Sequence, residues 1–166
     1  MKRLIILLFM ILPLGVFAQD LSKIAYVNTQ EVFNAMPEVA AMQKQLNDLN
    51  TNYQTELKKM QDEYQKKYSD YVQQQDSLTE NIKLRRQQEI QDIQSRIDNF
   101  IQVAQQDVQK KQQELLQPIQ TKIQTAIKSV GDEKGYTYII DPAALLFTAP
   151  SAINATAFVK TKLGLK

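Results

Sequence analysis

The sequence predicts an α+β protein that is mostly α: a long antiparallel helical hairpin attached to a small body with short strands. Residues 38–117 contain neither glycine nor proline, and they are rich in glutamine, lysine, glutamate and leucine, which favour helix. Apolar residues recur along this segment in steps of three and four, the spacing of one helix face. The flanking segments instead contain short β-branched and aromatic runs, which indicate strands.

The predicted body begins with a strand and a short helix. Lys23–Val27 is a run typical of a buried strand. Asn28, followed three residues later by Glu31, is typical of a helix N-cap and its partner. We therefore expect a short helix that continues through Ala35.

The segment after the hairpin predicts two more strands and a terminal helix. Residues 136–140 are rich in β-branched and aromatic residues, and residues 145–148 form a further apolar run. Asp141, which precedes a proline, is interpreted as a turn residue between them. Asn154 is suited to cap the last helix. The predicted apolar side of that helix consists of Ala157, Phe158 and Leu163.

One narrow apolar row on each arm is expected to hold the hairpin together. The steps give a period of about 3.67 residues, which predicts a straight or slightly right-handed pairing of the arms. Such a row covers one partner helix but cannot fill the interior of a bundle. The first row is Met42, Leu46, Leu49, Tyr53, Leu57, Met60, Tyr64, Tyr68 and Tyr71, and the second is Ile90, Ile93, Ile97, Ile101, Ala104, Val108, Leu115, Ile119 and Ile123.

The chain is expected to reverse near Leu78. Ser77 and Glu80 form a capping-box pattern at which a second helix can begin. A hairpin folded there places Pro37 and Pro118 level with each other, at the base of arms about 55–60 Å long. We interpret both prolines as hinges between the arms and the body. Pro118 is predicted to bend its helix rather than end it, because the apolar pattern continues beyond it.

The first eighteen residues have the layout of a secretory signal peptide. Lys2 and Arg3 precede an unbroken apolar run, which is short for a membrane span of about 20 residues. Val16 and Ala18 fit the cleavage rule, so we expect export with cleavage after Ala18. The predicted parts are a signal peptide at 1–18, an oligomerisation body at 19–37 and 118–166, and a hairpin arm at 38–117.

Composition excludes most familiar catalytic chemistries. The 166-residue chain contains no cysteine and no histidine, so thiol catalysis, disulfide scaffolds, zinc–thiolate sites and the commonest general base are excluded. Four glycines leave no room for a phosphate-binding loop. We predict no enzyme activity, catalytic residue, metal site or cofactor. Without the signal peptide the chain has 18 basic and 18 acidic residues, which does not support nucleic-acid binding.

The predicted body is small for an independent fold. Its two parts total only 68 residues, and no disulfide can reinforce them. Short strands also leave sheet edges that invite pairing. Both problems are solved if several copies share one sheet, so we predict oligomerisation through the body, with a copy number that these observations leave open.

Two groups of residues in the hairpin are candidate contact sites. Tyrosines of the first arm could form a surface that binds a protein client, or they could pack between the arms, and both are compatible because tyrosine keeps a polar end. A basic group near the tip could contact an anionic surface such as lipid headgroups, although an ordinary charged helix face explains it as well. The tyrosines are Tyr53, Tyr64, Tyr68 and Tyr71, and the basic residues are Lys83, Arg85 and Arg86.

The order of these features resembles the Skp/OmpH family of periplasmic chaperones. The matching features are the signal peptide, the Lys23–Val27 strand, the segment ending at Pro37, the glutamine-rich hairpin, the strand at 138–141 and the capped terminal helix. The resemblance implies a jellyfish-shaped homotrimer, with a β-barrel-like body and helical arms that enclose a cavity for unfolded outer-membrane β-barrel proteins. Lipopolysaccharide binding, described for strongly basic members, is not carried over to this neutral chain.

The resemblance predicts an ATP-independent holdase that makes many weak contacts along residues 38–117. These residues include 11 basic and 13 acidic side chains, so client binding should depend little on salt. The alternative is a structural or adaptor coiled-coil protein whose arms dock one folded partner of the cell envelope. A holdase protects several unrelated unfolded proteins, whereas an adaptor binds one folded partner stoichiometrically.

Overall fold

The computed structural model describes residues 23–165. The predicted fold class, α+β and mostly α, is confirmed, while the predicted signal peptide lies outside the described residues. Within residues 23–165, no helix is both long enough and apolar enough to cross a membrane. The elements are β1 (Ile24–Tyr26), α1 (Thr29–Ala35), α2 (Pro37–Gln74), α3 (Glu80–Lys134), β2 (Tyr138–Ile140), β3 (Ile153–Asn154) and α4 (Thr156–Lys162).

The two long helices, α2 and α3, form the predicted antiparallel hairpin. They contain 38 and 55 residues. Every residue of the two predicted apolar rows is buried or half-buried, except Tyr68, which is 47% exposed. Glu38 near the start of α2 pairs with Lys122 in α3, and Lys67 pairs with Glu89 near the tip. The two helices therefore stay side by side from the body to the tip.

The connection between the arms is a short 3₁₀ turn at Gln75–Ser77. The predicted capping role of Ser77 is wrong, because its hydroxyl donates to the Gln74 carbonyl at 2.8 Å. Thr79 occupies the N-cap position of α3, and its carbonyl accepts the N–H groups of the residues three and four positions later. The 3₁₀ turn leaves Ser77 at the end of the first arm, where the last carbonyls need donors.

The two candidate hinge prolines occupy different positions within their helices and do not lie at the same level along the hairpin. Pro37 is the first residue of α2, where its missing N–H has no cost. Pro118 lies inside α3, which continues to Lys134, so it does not end the helix. The prediction that the prolines are level is wrong by about one helical turn. The reversal itself lies at residues 75–79, as predicted near Leu78, but Glu38, next to Pro37, pairs with Lys122, four residues beyond Pro118.

The body contains a parallel three-stranded sheet with the order β2-β1-β3. Strand β2 confirms the predicted strand at 136–140, and Ile24 of β1 pairs with Tyr138. The predicted strand at 145–148 is wrong, because the third strand is Ile153–Asn154, paired with β1. Residues 145–148 have no strand partner within the described chain, and Phe147 there is 79% exposed.

One hydrophobic core joins the sheet, the short helices and the base of the arms. Val39 and Met42 belong to this core although the predicted boundary at residue 38 assigns them to the arm. The division of the chain into body and arm stays a prediction. The buried core residues are Ala25, Val27, Val32, Met36, Val39, Met42, Ile119, Ile123, Ala126, Val130, Ala155 and Val159.

At the start of each short helix, an asparagine side chain accepts a hydrogen bond from a backbone N–H group. The predicted cap of α1 is confirmed, because Asn28 Oδ1 accepts the Glu31 N–H at 2.9 Å. Asn154 Oδ1 accepts the N–H of Thr156, the first residue of α4, although Ala155 holds the formal N-cap position. Thr156 is buried, and its hydroxyl accepts the Asn28 N–H at 3.0 Å. This bond ties the start of one short helix to the start of the other.

The predicted apolar side of α4 is wrong in two of its three residues. Ala157 and Phe158 are exposed, whereas Val159 is fully buried and Leu163 packs against the core. Because Thr156 is held by its hydrogen bond, the helix presents the positions 156, 159 and 163 to the body. This rotation leaves Phe158 under the Lys134 ammonium group, 4.4 Å from the ring centre.

Candidate functional site

Three of the open grooves along the sides of the hairpin lie beyond the body, and we name them by their linings. The tip groove, of about 640 Å³, is charged and includes Lys66, Lys67, Arg85, Arg86 and Glu89. The charged mid groove lies halfway along the arms and is lined by Gln45, Asp48, Leu49, Asn52, Asp107, Lys110, Lys111 and Glu114. The amide groove, about 480 Å³ at a similar height, is lined by Asn50, Tyr53, Gln54, Leu57, Phe100, Ile101, Ala104, Gln105, Val108 and Gln109.

Tyr53 is held in place between the arms. Its half-buried ring meets Phe100 edge-on, with 5.7 Å between ring centres and 70° between planes. Its hydroxyl donates to Asp107 Oδ2 at 2.6 Å, and this hydrogen bond to a carboxylate raises the pKa of Tyr53. The ring therefore packs in the seam while its edge also lines the amide groove.

The remaining candidate tyrosines lie nearer the tip and do not form one surface with Tyr53. Tyr64 and Tyr68 are stacked, with ring centres 6.1 Å apart and planes within 9°. Tyr64 is half-buried, whereas Tyr68 faces outward. The Tyr71 hydroxyl accepts a hydrogen bond from Gln87 across the seam at 2.7 Å. Of the four tyrosines, Tyr68 therefore offers the most accessible ring.

The three candidate basic residues near the tip each have a partner in the described chain. Lys83 pairs with Glu80 at 2.9 Å, and this hydrogen bond raises the pKa of Lys83. Arg85 pairs with Glu89 at 3.2 Å, and Arg86 donates to the Gln74 side chain at 2.8 Å. Two of the three positive charges therefore face a carboxylate, which weakens their field at an anionic surface.

Exposed apolar residues at the tip are a feature that the sequence reasoning missed. Leu84 is 63% exposed, and Val72 and Ile82 are also exposed nearby. Val72 follows the last residue of the first apolar row, and Ile82 and Leu84 precede the first residue of the second, so apolar side chains beyond the ends of the rows are the signal that could have identified them. The tip therefore combines apolar side chains with paired charges.

The body carries a second exposed apolar set, larger than the one at the tip. Leu146 is fully exposed, in the segment that the sequence predicted to be a strand. Exposed apolar side chains also occur on all three strands and on α4. The set consists of Ile24, Tyr138, Leu145, Leu146, Phe147, Ile153 and Phe158.

Pro118 faces the first arm at the level where the arms enter the body. It lines a small groove with Ala41, Met42 and Leu115. One turn further along α3, the ammonium group of Lys122 holds the pKa of Glu38 below its ordinary value. The candidate hinge therefore lies next to a cross-arm ion pair and to core side chains.

Carboxylates of the part of the chain from 23 to 165 do not assemble into a metal site. No group of three or more acidic side chains is placed to hold an ion among these residues. The candidate site of this protein is thus a surface along two helices rather than a pocket with reactive groups.

Comparison with known proteins identifies the family. Residues 23–163 match the outer membrane protein (OmpH-like) family. The chain belongs to the OmpH-like family. A relative from Photorhabdus luminescens, named chaperone protein Skp, is 30% identical over 142 residues, which are 86% of each chain. A protein of the same name from Yersinia enterocolitica is 28% identical over 130 residues, 78% of this chain and 79% of the relative.

A solved structure supports the fold. The crystal structure described as that of an OmpH-like outer membrane chaperone from Caulobacter crescentus superposes with a TM-score of 0.76. The match covers 86% of this chain and 84% of that one at 14% identity, so it bears on the fold alone. The resemblance to the Skp/OmpH family is confirmed, and the prediction that the chain belongs to a chaperone family and not to an enzyme family is confirmed with it.

Proposed function

We propose that this protein is an ATP-independent periplasmic holdase that binds unfolded outer-membrane β-barrel proteins between helical arms. One observation carries the proposal: the arms extend far beyond the body core, and away from the body only Ile93 and Ile97 are buried between them. Most of the arm surface therefore has no packing role within the described chain and is free to contact a client. The chaperone names of the relatives supply the class of function.

The exposed apolar set of the body supports assembly into a homotrimer. So many exposed apolar side chains on one small body are typical of a surface that contacts another molecule. The edge strands β2 and β3 offer backbone groups that strands of neighbouring copies could pair. A sedimentation experiment in which a folded monomer persists at micromolar concentration would contradict this assembly.

We assign client contact to side chains exposed along the arms, with Tyr68 ahead of Tyr53, Tyr64 and Tyr71. The paired charges of Lys83, Arg85 and Arg86 take a smaller part. Client affinity is then expected to change little between low and high NaCl, because burial of apolar surface is not screened. A loss of about tenfold or more at high salt would assign the larger part to electrostatic contacts.

Pro118 is proposed as the hinge that lets the arms adapt to clients of different size. Pro118→Ala restores a helix hydrogen bond and should stiffen the arm. We expect an altered scattering profile and a narrower client range, with Gln117→Ala as the control. Identical profiles for all three proteins would contradict the hinge.

The direct test is suppression of aggregation. The mature chain from Gln19, its start checked by intact mass, is mixed with several unrelated outer-membrane β-barrel proteins diluted from urea. A holdase keeps each of them soluble without nucleotide, measured by light scattering, with an equal mass of an inert protein as control. An adaptor leaves them to aggregate and instead binds one folded envelope protein at fixed stoichiometry, and that result would replace the holdase function.

A further inference from the structure

The amide groove differs from the two other grooves of the hairpin in having no charged residue in its described lining. Its floor is apolar and half-buried, and it includes the Tyr53–Phe100 pair. Its rims are carboxamides spaced four residues apart, Asn50 and Gln54 on α2 and Gln105 and Gln109 on α3. All four rim side chains are exposed.

We propose that the amide groove binds an extended, uncharged segment of an unfolded polypeptide, whose apolar side chains contact the floor and whose backbone contacts the rims. The proposal rests on the holdase function and names the chemistry of one of its contact sites. An extended chain presents both N–H and C=O groups. A carboxamide donates and accepts hydrogen bonds, so it satisfies either group.

The size of the groove suits a strand-like segment. Asn50 to Leu57 spans about 10 Å of helix at about 1.5 Å per residue, which equals about three residues of extended chain. Alternate side chains of such a segment point to the same side. A segment with apolar residues at every second position therefore places them on the floor. This alternation is the pattern of strands that form membrane barrels.

Charge decides which groove such a segment occupies. The charged mid groove, on the opposite side of the seam at the same height, offers Asp48, Lys110 and Glu114 among other charges. An uncharged segment placed there would displace water from these charged groups and offer no counterion to compensate for the lost hydration. A charged segment in the amide groove would itself find no counterion among the lining residues. The two grooves are thus selective for different parts of a client.

The amide groove is also partly organised before binding. Asp107 lies on the side of the charged mid groove and holds the Tyr53 hydroxyl at 2.6 Å. The ring is thereby kept against Phe100 on the groove floor. Little freedom of these two side chains remains to be lost on binding, which favours affinity.

Photo-cross-linking locates the client. The photoreactive residue p-benzoylphenylalanine replaces Gln105 at the groove rim, or Gln106, the exposed next residue outside the groove, or Lys110 in the charged mid groove. The probe is an unfolded outer-membrane β-barrel protein diluted from urea. We expect adducts chiefly at position 105, in client segments that are uncharged and alternately apolar. Equal adducts at all three positions, or adducts at 105 between copies without client, overturn the proposal.

A matched pair of charge variants measures the contribution of the groove. Gln105→Glu and Gln106→Glu give the same net charge, so long-range attraction is equal in both. Because only the first places a charge on the rim, we expect its affinity for the same probe to fall by about tenfold while the second is unchanged. Both positions are exposed, so neither substitution should disturb the fold. Circular dichroism checks that both variants are folded.

The outcomes separate the groove from the holdase function. If the wild-type chain fails to keep the probe soluble, the holdase function is wrong and the groove proposal falls with it. If the wild-type chain protects the probe while Gln105→Glu and Gln106→Glu bind it equally well, the groove proposal alone is wrong. Weaker binding by Gln105→Glu alone supports both.

Discussion

The body and the arms of this protein bury their apolar side chains to different degrees. In the body, Val27, Val32 and Val159 are fully buried and contact elements that are far apart in sequence. In α2, whose residues are all described, no side chain beyond Met42 is buried. The body thus has a closed core, whereas each arm shares a half-open seam with its partner helix.

This difference separates two sources of stability. The body depends on close packing, where each lost methyl group leaves a cavity. The arms depend more on helix propensity, on side-chain pairs within each helix such as Lys44 with Asp48, and on a single row of contacts. A substitution of one kind should therefore have unequal effects in the two regions.

The largest expected effect comes from a charge placed in the body core. Val159→Asp buries an unpaired carboxylate and should lower the free energy of unfolding by about 3–5 kcal/mol. Leu57→Asp introduces the same charge into the half-open seam, where water reaches it, and should cost about 1 kcal/mol. Urea unfolding followed by circular dichroism measures both, and equal losses would contradict the distinction.

A second pair of variants tests whether the burial of apolar side chains varies along the seam between the arms. Ile97 is buried between the arms, whereas Ile101, one turn further, is half-buried beside the amide groove. Ile97→Ala should cost about 2–4 kcal/mol and Ile101→Ala about 1–2 kcal/mol. In the Ile97→Ala variant, exchange of backbone amide hydrogens should become faster in the part of α3 around residue 97. A larger loss at Ile101 would show that the middle of the arm is the tighter part.

A third prediction concerns a carboxylate that joins two parts of the body. Asp141 accepts the N–H and hydroxyl of Thr29 through Oδ2 and the Ala143 N–H through Oδ1. The Thr29 hydroxyl bond is the main cause that lowers the pKa of Asp141 in the folded protein. Stability from this group is therefore present above its ordinary pKa and is lost as the pH falls through the lowered folded value.

Asp141→Asn should abolish this contribution. We expect a loss of about 1–2 kcal/mol at neutral pH, because the amide makes weaker bonds than a carboxylate. Below the lowered pKa of Asp141, the variant and the wild type should converge. Thermal unfolding at a series of pH values measures the difference. Asp132→Asn, an exposed change in the last helical turn of α3, is the control. A constant difference at every pH would contradict the assignment.

The smallest effect is expected from the cross-arm ion pairs. Lys67 pairs with Glu89 at 3.2 Å and lowers the pKa of that carboxyl, yet both side chains are substantially exposed. Exposed pairs contribute little, since water screens them. Lys67→Gln with Glu89→Gln should leave the midpoint of urea unfolding unchanged within error. A clear shift would show that polar contacts, and not the apolar row, align the arms.

The long elements of this fold were predictable because their signals are repeated many times. The apolar rows from Met42 to Tyr71 and from Ile90 to Ile123 predict the seam almost residue by residue. Asn28 also predicts the start of α1 correctly, because a side-chain cap acts over three residues. Each of these signals is local, so it needs no knowledge of the rest of the chain.

The wrong predictions concern features that depend on distant parts of the chain. Residues 145–148 have the composition of a strand, but strand pairing depends on a partner, and β1 pairs with Ile153 instead. The face of α4 depends on a hydrogen bond between Thr156 and Asn28, 128 positions apart. The amide groove could not be predicted either, because its lining comes from both arms and depends on which side chains meet across the seam.

The strand pairing also determines the order in which the molecule can be completed. β1, at the beginning of the described chain, is the central strand, and its partner Tyr138 follows only after both arms. Closing so long a loop directly costs chain entropy. If the arms instead pair progressively from their turn, each new contact joins residues that are already close. The completed hairpin then brings β1 and β2 within reach of each other. The arms thus help the body to assemble, and β1, the first strand of the described residues, is among the last to be paired.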